Sequence, residues 1–171
     1  MKSRTILSLF LGISLISNIV AEPDVPAIRE GIAARAELQV GCAYWSNAAY
    51  SGSGRNTNKN NYFVYDIGNL AGVKMPEVSE GVPIGEGVGG WGTLSTLKNW
   101  TLVNAPQRGD IVAARDPIDN TYHVGIFISA GTTISTNPID ISRSNWPFGS
   151  GSEEGEDIRY WNYCGLEENC P

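Results

Sequence analysis

The chain is poor in the residues that build metal centres. It has one histidine, His123, and three cysteines, Cys42, Cys164 and Cys170, with no Cys-x-x-Cys or His-x-x-x-His pair. Zinc sites need closely spaced ligands of these types, so no metal and no cofactor are expected. Basic runs are missing too: twelve Lys and Arg stand against eighteen Asp and Glu, for a net charge of −6. Without a cationic face there is nothing to neutralise phosphate, which excludes nucleic acid and anionic membrane as partners. The glycine-rich run Gly85 to Gly92 (GEGVGGWG) has no strand before it and no P-loop lysine after it, so it is no phosphate cradle. Beyond residue 21, no apolar run approaches the roughly 20 residues that span a bilayer.

The one long apolar run that is present lies at the start. Lys2 and Arg4 precede an almost continuously apolar stretch from Thr5 to Val20, and the small Ala21 stands before Glu22-Pro23. This is the pattern of a secretory signal peptide over residues 1–21. An uncleaved anchor is the alternative, but the run is short and Ser14, Ser17 and Asn18 interrupt it. A secreted domain over 22–171 is therefore expected, two charges more negative without Lys2 and Arg4, and free of the membrane after cleavage. About 150 residues suffice for one domain with a core, and a monomer is expected. Export permits disulfides. Cys164 and Cys170 enclose a short C-terminal loop and are the favoured pair; Cys42 bonded to one of them is the rival. Asn99-Trp100-Thr101 is a sequon for N-glycosylation at Asn99 in a eukaryotic host.

Periodicity predicts two helices followed by strands. Ala27 to Val40 carries Ile28, Ile32, Ala36 and Val40 at i+4 spacing, and Gly41 stops it. After the loop Ser51 to Asn61, a second helix starts near Asn60, with Phe63, Val64, Ile67, Leu70 and Ala71 on one face and Gly72 at its end. Pro76 to Gly92 reads as loop and Thr93 to Trp100 as a third, short helix. Strands are predicted over Asp110 to Arg115, Tyr122 to Ser129, Thr132 to Thr136 and Ile158 to Tyr163, with turns at Arg108-Gly109, Asp116 to Asn120 and Ala130-Gly131. Ser142 to Glu156 reads as loop, and its acidic end as solvated rather than cation-binding. Helices followed by an antiparallel meander make the fold α+β.

Several of these segments, in this order, resemble the papain-like NlpC/P60 and CHAP superfamily of cell-wall peptidases and amidases. They are Gly109-Asp110-Ile111-Val112, His123-Val124-Gly125-Ile126-Phe127, Thr133-Ile134-Ser135, the closing Arg159-Tyr160-Trp161, and the helix opening at Asn58 to Val64 and continuing to Ala71-Gly72. Val40-Gly41 and Trp45 fit the approach to that helix. The resemblance covers residues 27 to 163. It implies N-terminal helices packed on an antiparallel sheet, and a Cys-His-polar triad that attacks an amide of a peptidoglycan stem peptide. In such a triad a cysteine at the helix N-terminus is the nucleophile, His123 the general base, and a polar side chain on the next strand orients the ring.

The chain departs from that pattern where the chemistry starts. Asn60 occupies the nucleophile's place, and a carboxamide cannot act as a thiolate; Asn is instead a favourable N-cap. The orienting position falls on Ser135, or on Asn137 if the register slips by two. Cys42 precedes His123 as the triad order requires, but it lies before the loop and can equally be a disulfide partner or a buried small hydrophobe. Among the aromatics, Trp91 and Trp146 sit in Gly/Pro-rich segments and, with Tyr62, are candidates to line a binding groove. Three functions fit: a secreted, catalytically impaired relative that binds peptidoglycan or a cell-wall peptide; an active hydrolase using Cys42 and His123; or a non-enzymatic effector or inhibitor module that binds a secreted protein.

Overall fold

The computed structural model describes residues 24–46, 57, 59–116, 120–147, 158–165 and 170. The expected leader lies outside them, as do most of the 51–61 loop and the acidic stretch 153–157.

Helix α1 spans Val25–Leu38. Asp24 caps it by accepting from the Ala27 N–H at 3.2 Å, and Pro26 sits in the first turn, where its missing donor costs nothing. These signals start the helix two residues before the expected Ala27. It also ends two residues early, so Val40 lies outside it and is exposed. Ile32, Ala33 and Ala36 are buried. Helix α2 spans Asn60–Leu70 and buries Phe63, Val64 and Ile67 completely, while Leu70, expected on the same face, is exposed.

The Gly/Pro-rich segment expected as loop contains a short hairpin, β1 (Glu77–Ser79) and β2 (Val82–Pro83). No third helix forms. Residues 93–99 make turns, with Asn99 in the left-handed region at φ 68°, and Trp100 opens strand β3 (Trp100–Val103). Strands β4 (Ile111–Arg115), β5 (Tyr122–Ser129) and β6 (Thr132–Thr136) fall where their β-branched alternation places them. Strand β7 (Ile141–Ser144) occupies part of the expected 142–156 loop, and β8 (Arg159–Tyr163) closes the chain. The order is β3-β8-β4-β5-β6-β7, antiparallel throughout. Both misread strands lie at the sheet edges. Each is four residues long, and its partner strand supplies the hydrogen bonds that local sequence does not announce.

Register explains the core. Trp161 pairs with Ile111, Ile111 with Ile126 and Ile126 with Ile134, a row across four strands with every member fully buried. Both helices pack against β5, and the architecture is α+β. Gly125, at the centre of β5, is required by close approach. A Cβ there would lie 2.7 Å from Thr133 Cγ2 and 2.9 Å from the Ile134 carbonyl. Gly125→Ala is expected to cost about 1–3 kcal/mol in urea unfolding, because β6 must be pushed off the strand.

The Gly-Asp turn before β4 is built on two constraints. Gly109 has φ 90°, and a Cβ on it would lie 2.0 Å from the Arg29 carbonyl. Asp110 is fully buried, accepting from the Gln107 N–H at 2.7 Å and from Asn162 Nδ2 at 2.9 Å, with Arg29 at 3.9 Å. Burial outweighs these partners and pushes its carboxyl up to about 6. The folded state thus holds this proton more tightly than the unfolded chain. Its contribution to stability is complete below about pH 4 and is lost as pH rises to about 6, a change of roughly 3 kcal/mol. Chemical unfolding between pH 4 and 7 should show this fall, and Asp110→Asn should flatten it.

Cys164 and Cys170 form a disulfide, and Cys42 is a half-buried free thiol.

Candidate functional site

The N-terminus of α2 meets the sheet beside the start of β5. Lys59, not Asn60, is the N-cap residue, and its side chain makes no capping bond to the helix. Its fully buried ammonium instead donates to the Ser46 and Thr57 carbonyls at 2.9 and 3.3 Å, so it holds the approaching chain against the helix start. Burial pulls the Lys59 pKa down. Asn60 is therefore the first helical residue, which frees its side chain to point elsewhere.

It points across to the sheet. Asn60 Oδ1 accepts from the Thr136 N–H at 2.9 Å and from the Thr136 hydroxyl. That fixes the amide, so Nδ2 faces His123 Nδ1 at 3.3 Å and Glu86 Oε2 at 3.4 Å. With a donor aimed at Nδ1, the ring proton belongs on Nε2, where Thr121 Oγ1 stands at 3.5 Å. Glu86 Oε2 lies 3.9 Å from Nδ1, its side chain mostly buried. The Trp146 ring meets the His123 ring edge-on, 5.9 Å between centroids.

Asn60, His123, Thr136 and Trp146 border an open cleft of about 220 Å³. It is lined further by Ser135 and Asn137 and, from β7, by Ser142 and Ser144. The structure therefore brings together Asn60, His123, Ser135, Asn137 and Trp146. Neither candidate orienting residue touches the imidazole. The Asn137 carboxamide is folded back on its own turn, accepting from Ile139 and Asp140 N–H and donating to Asp140 Oδ1. The position beside Nε2 belongs to Thr121, two residues before the histidine and just ahead of β5.

Three other candidates lie elsewhere. Trp91 is a core residue, 1% exposed, packed edge-on against Trp100 and Trp161, and its carbonyl accepts from Trp161 Nε1 at 2.8 Å. Burying an indole at the centre of the domain outweighs any tendency of its glycine-rich surroundings to present it. Tyr62 packs half-buried against the core from α2 and does not line the cleft. Cys42 follows α1, with its carbonyl accepting from the Ile141 N–H, and it does not line the cleft. Asn99 borders a separate cavity between the β1-β2 hairpin and residues 89–99.

Glu86, Thr121 and Thr136 were not legible as site residues. Their roles depend on where distant segments meet, and no local pattern marks them. Among the described residues, no group of three or more His, Cys, Asp or Glu side chains could hold a metal, and no helix is long and apolar enough to cross a membrane.

No family model matches the chain, and no curated protein does. Among solved structures it is similar to RipD of Mycobacterium tuberculosis, described as a non-catalytic NlpC/p60 domain protein with an adaptation to peptidoglycan-binding function. The TM-score is 0.47 at 16% identity, over 79% of this chain and 95% of that one.

Proposed function

We propose that the chain is an exported, catalytically silent relative of the NlpC/P60 and CHAP cell-wall hydrolases, and that its cleft binds peptidoglycan. One observation carries this reading: the first residue of α2 faces His123 Nδ1 at 3.3 Å with a carboxamide. The resemblance places a thiol there. A carboxamide nitrogen is neither nucleophilic nor able to transfer a proton to imidazole, so no acyl-enzyme can form. The amide is instead spent on structure, bridging α2, β5 and β6. Cys42 offers no replacement within the cleft, because it is not among the residues that line it. What survives is a preformed cleft with polar walls and one aromatic side, which suits binding.

The purified protein is expected to sediment with insoluble peptidoglycan and to release no soluble fragments from it. Fragment release would overturn the catalytic silence, and failure to sediment would overturn the binding role.

A further inference from the structure

The walls of the cleft indicate which part of such a polymer it holds. Apart from His123, every lining side chain is uncharged: four hydroxyls, two carboxamides and one indole. Arg143 and Arg108 do not line the cleft and are committed to carboxylates. Arg143 lies between Ser142 and Ser144 on β7, yet its guanidinium bonds Glu37 at 2.9 Å. Arg108 is held by Glu30 and Glu37. The carboxyl of Glu86 stands 3.9 Å from His123 Nδ1. A peptide bearing carboxylates would therefore meet no Lys or Arg among the described lining residues and one group of its own sign beside them, which penalises binding.

A neutral, hydroxyl-rich ring meets the opposite situation. The Ser135 and Ser142 hydroxyls have no hydrogen-bond partner among the described residues, and Ser144 Oγ accepts only a long bond from the Trp146 N–H at 3.3 Å. Each hydroxyl can both donate and accept, which matches the hydroxyls of a sugar. Trp146 is half-buried and braced edge-on by His123, so its indole face is positioned before a ligand arrives. The axial C–H face of a pyranose is apolar and stacks on such a surface. A volume of about 220 Å³ suits one ring rather than an extended peptide.

We infer that the cleft binds a neutral saccharide ring, with Trp146 as its stacking surface and Ser135 and Ser142 as hydrogen-bonding partners. This rests on the reading of the cleft as a cell-wall polymer site and names the glycan as the part recognised. The test is titration of the full chain with a β-1,4-linked N-acetylglucosamine trisaccharide and, separately, with a synthetic stem peptide, followed by NMR. Saturable binding of the trisaccharide, insensitive to salt and weakened at least tenfold by Trp146→Ala, is expected, with no binding of the peptide. Ser142→Ala, a small change, should weaken it severalfold even if the tryptophan variant folds poorly. Peptide binding without sugar binding, or binding of neither, overturns the inference. Sedimentation with intact peptidoglycan separates the two readings: a protein that pellets with the polymer but ignores the trisaccharide loses this inference and keeps the broader role.

Discussion

Asn60→Cys alone is expected to leave peptidoglycan uncut, and adding Glu86→Gln is expected to lower the pKa of the introduced thiol by about one to three units. The first residue of α2 has much of what a thiolate needs. It stands at a helix N-terminus, where the dipole favours an anion. The Thr136 N–H and hydroxyl already donate to the side chain there, and His123 Nδ1 is 3.3 Å away. Glu86 opposes all of this. Its carboxyl lies 3.4 Å from the Asn60 nitrogen, with its side chain only 12% exposed. Two like charges about 4 Å apart repel by about 4 kcal/mol at an effective dielectric of 20, or about three pKa units. A neutral carboxamide tolerates that neighbour, because its Nδ2 donates to the carboxyl; a thiolate does not. The carboxamide of Asn60 and this carboxyl thus form one consistent arrangement. The measurement is the pH dependence of iodoacetamide alkylation in a Cys42→Ala background, with Cys164 and Cys170 held in their disulfide. Superimposable profiles for the single and double variants would refute the argument.

Trp161→Ala is expected to lower the melting temperature by about 10 °C. Trp161 is fully buried on β8, between β3 and β4, and pairs with Leu102 and Ile111. Its ring meets Trp91 edge-on, and its Nε1 donates to the Trp91 carbonyl at 2.8 Å. Truncation removes the largest member of the cross-strand row and leaves a buried carbonyl without its donor. Replacing a core indole by a methyl costs about 3–5 kcal/mol, and for a domain of this size each kcal/mol shifts the melting point by about 2–4 °C. Leu102→Ala, on the neighbouring strand and 40% exposed, is the control and should cost less than about 1 kcal/mol. Equal shifts for the two variants would refute the central place of Trp161.

Much of the site was legible before the fold. His123 stood out as the single imidazole, and Asn60 as a carboxamide at the opening of a helix. The structure brings them together, 63 residues apart in the chain. The groove aromatics were harder to read. Trp91 and Trp146 occupy similar Gly/Pro-rich surroundings, yet one is buried in the core and the other braces the cleft. Composition records that a segment is irregular; it does not record which side of the segment meets the core. The orienting residue escaped for a related reason. Ser135 was placed by strand order, whereas the Thr121 hydroxyl stands 3.5 Å from Nε2 in the segment that leads into the histidine's strand.

Export and the α+β class were expected from local information alone, a basic-apolar leader and a change from helical to alternating periodicity. The three central strands were legible from their apolar and β-branched runs between turns, which in β4 and β5 are buried almost continuously. The edge strands β3 and β7 had no such signal, because an edge strand is stabilised by its neighbour rather than by its own pattern. Glu86 beside Asn60, Thr136 holding the amide and the pairing of Arg143 with Glu37 were decided only by tertiary structure. Each depends on the distance between segments far apart in the chain, and electrostatics acts through that distance rather than through sequence order.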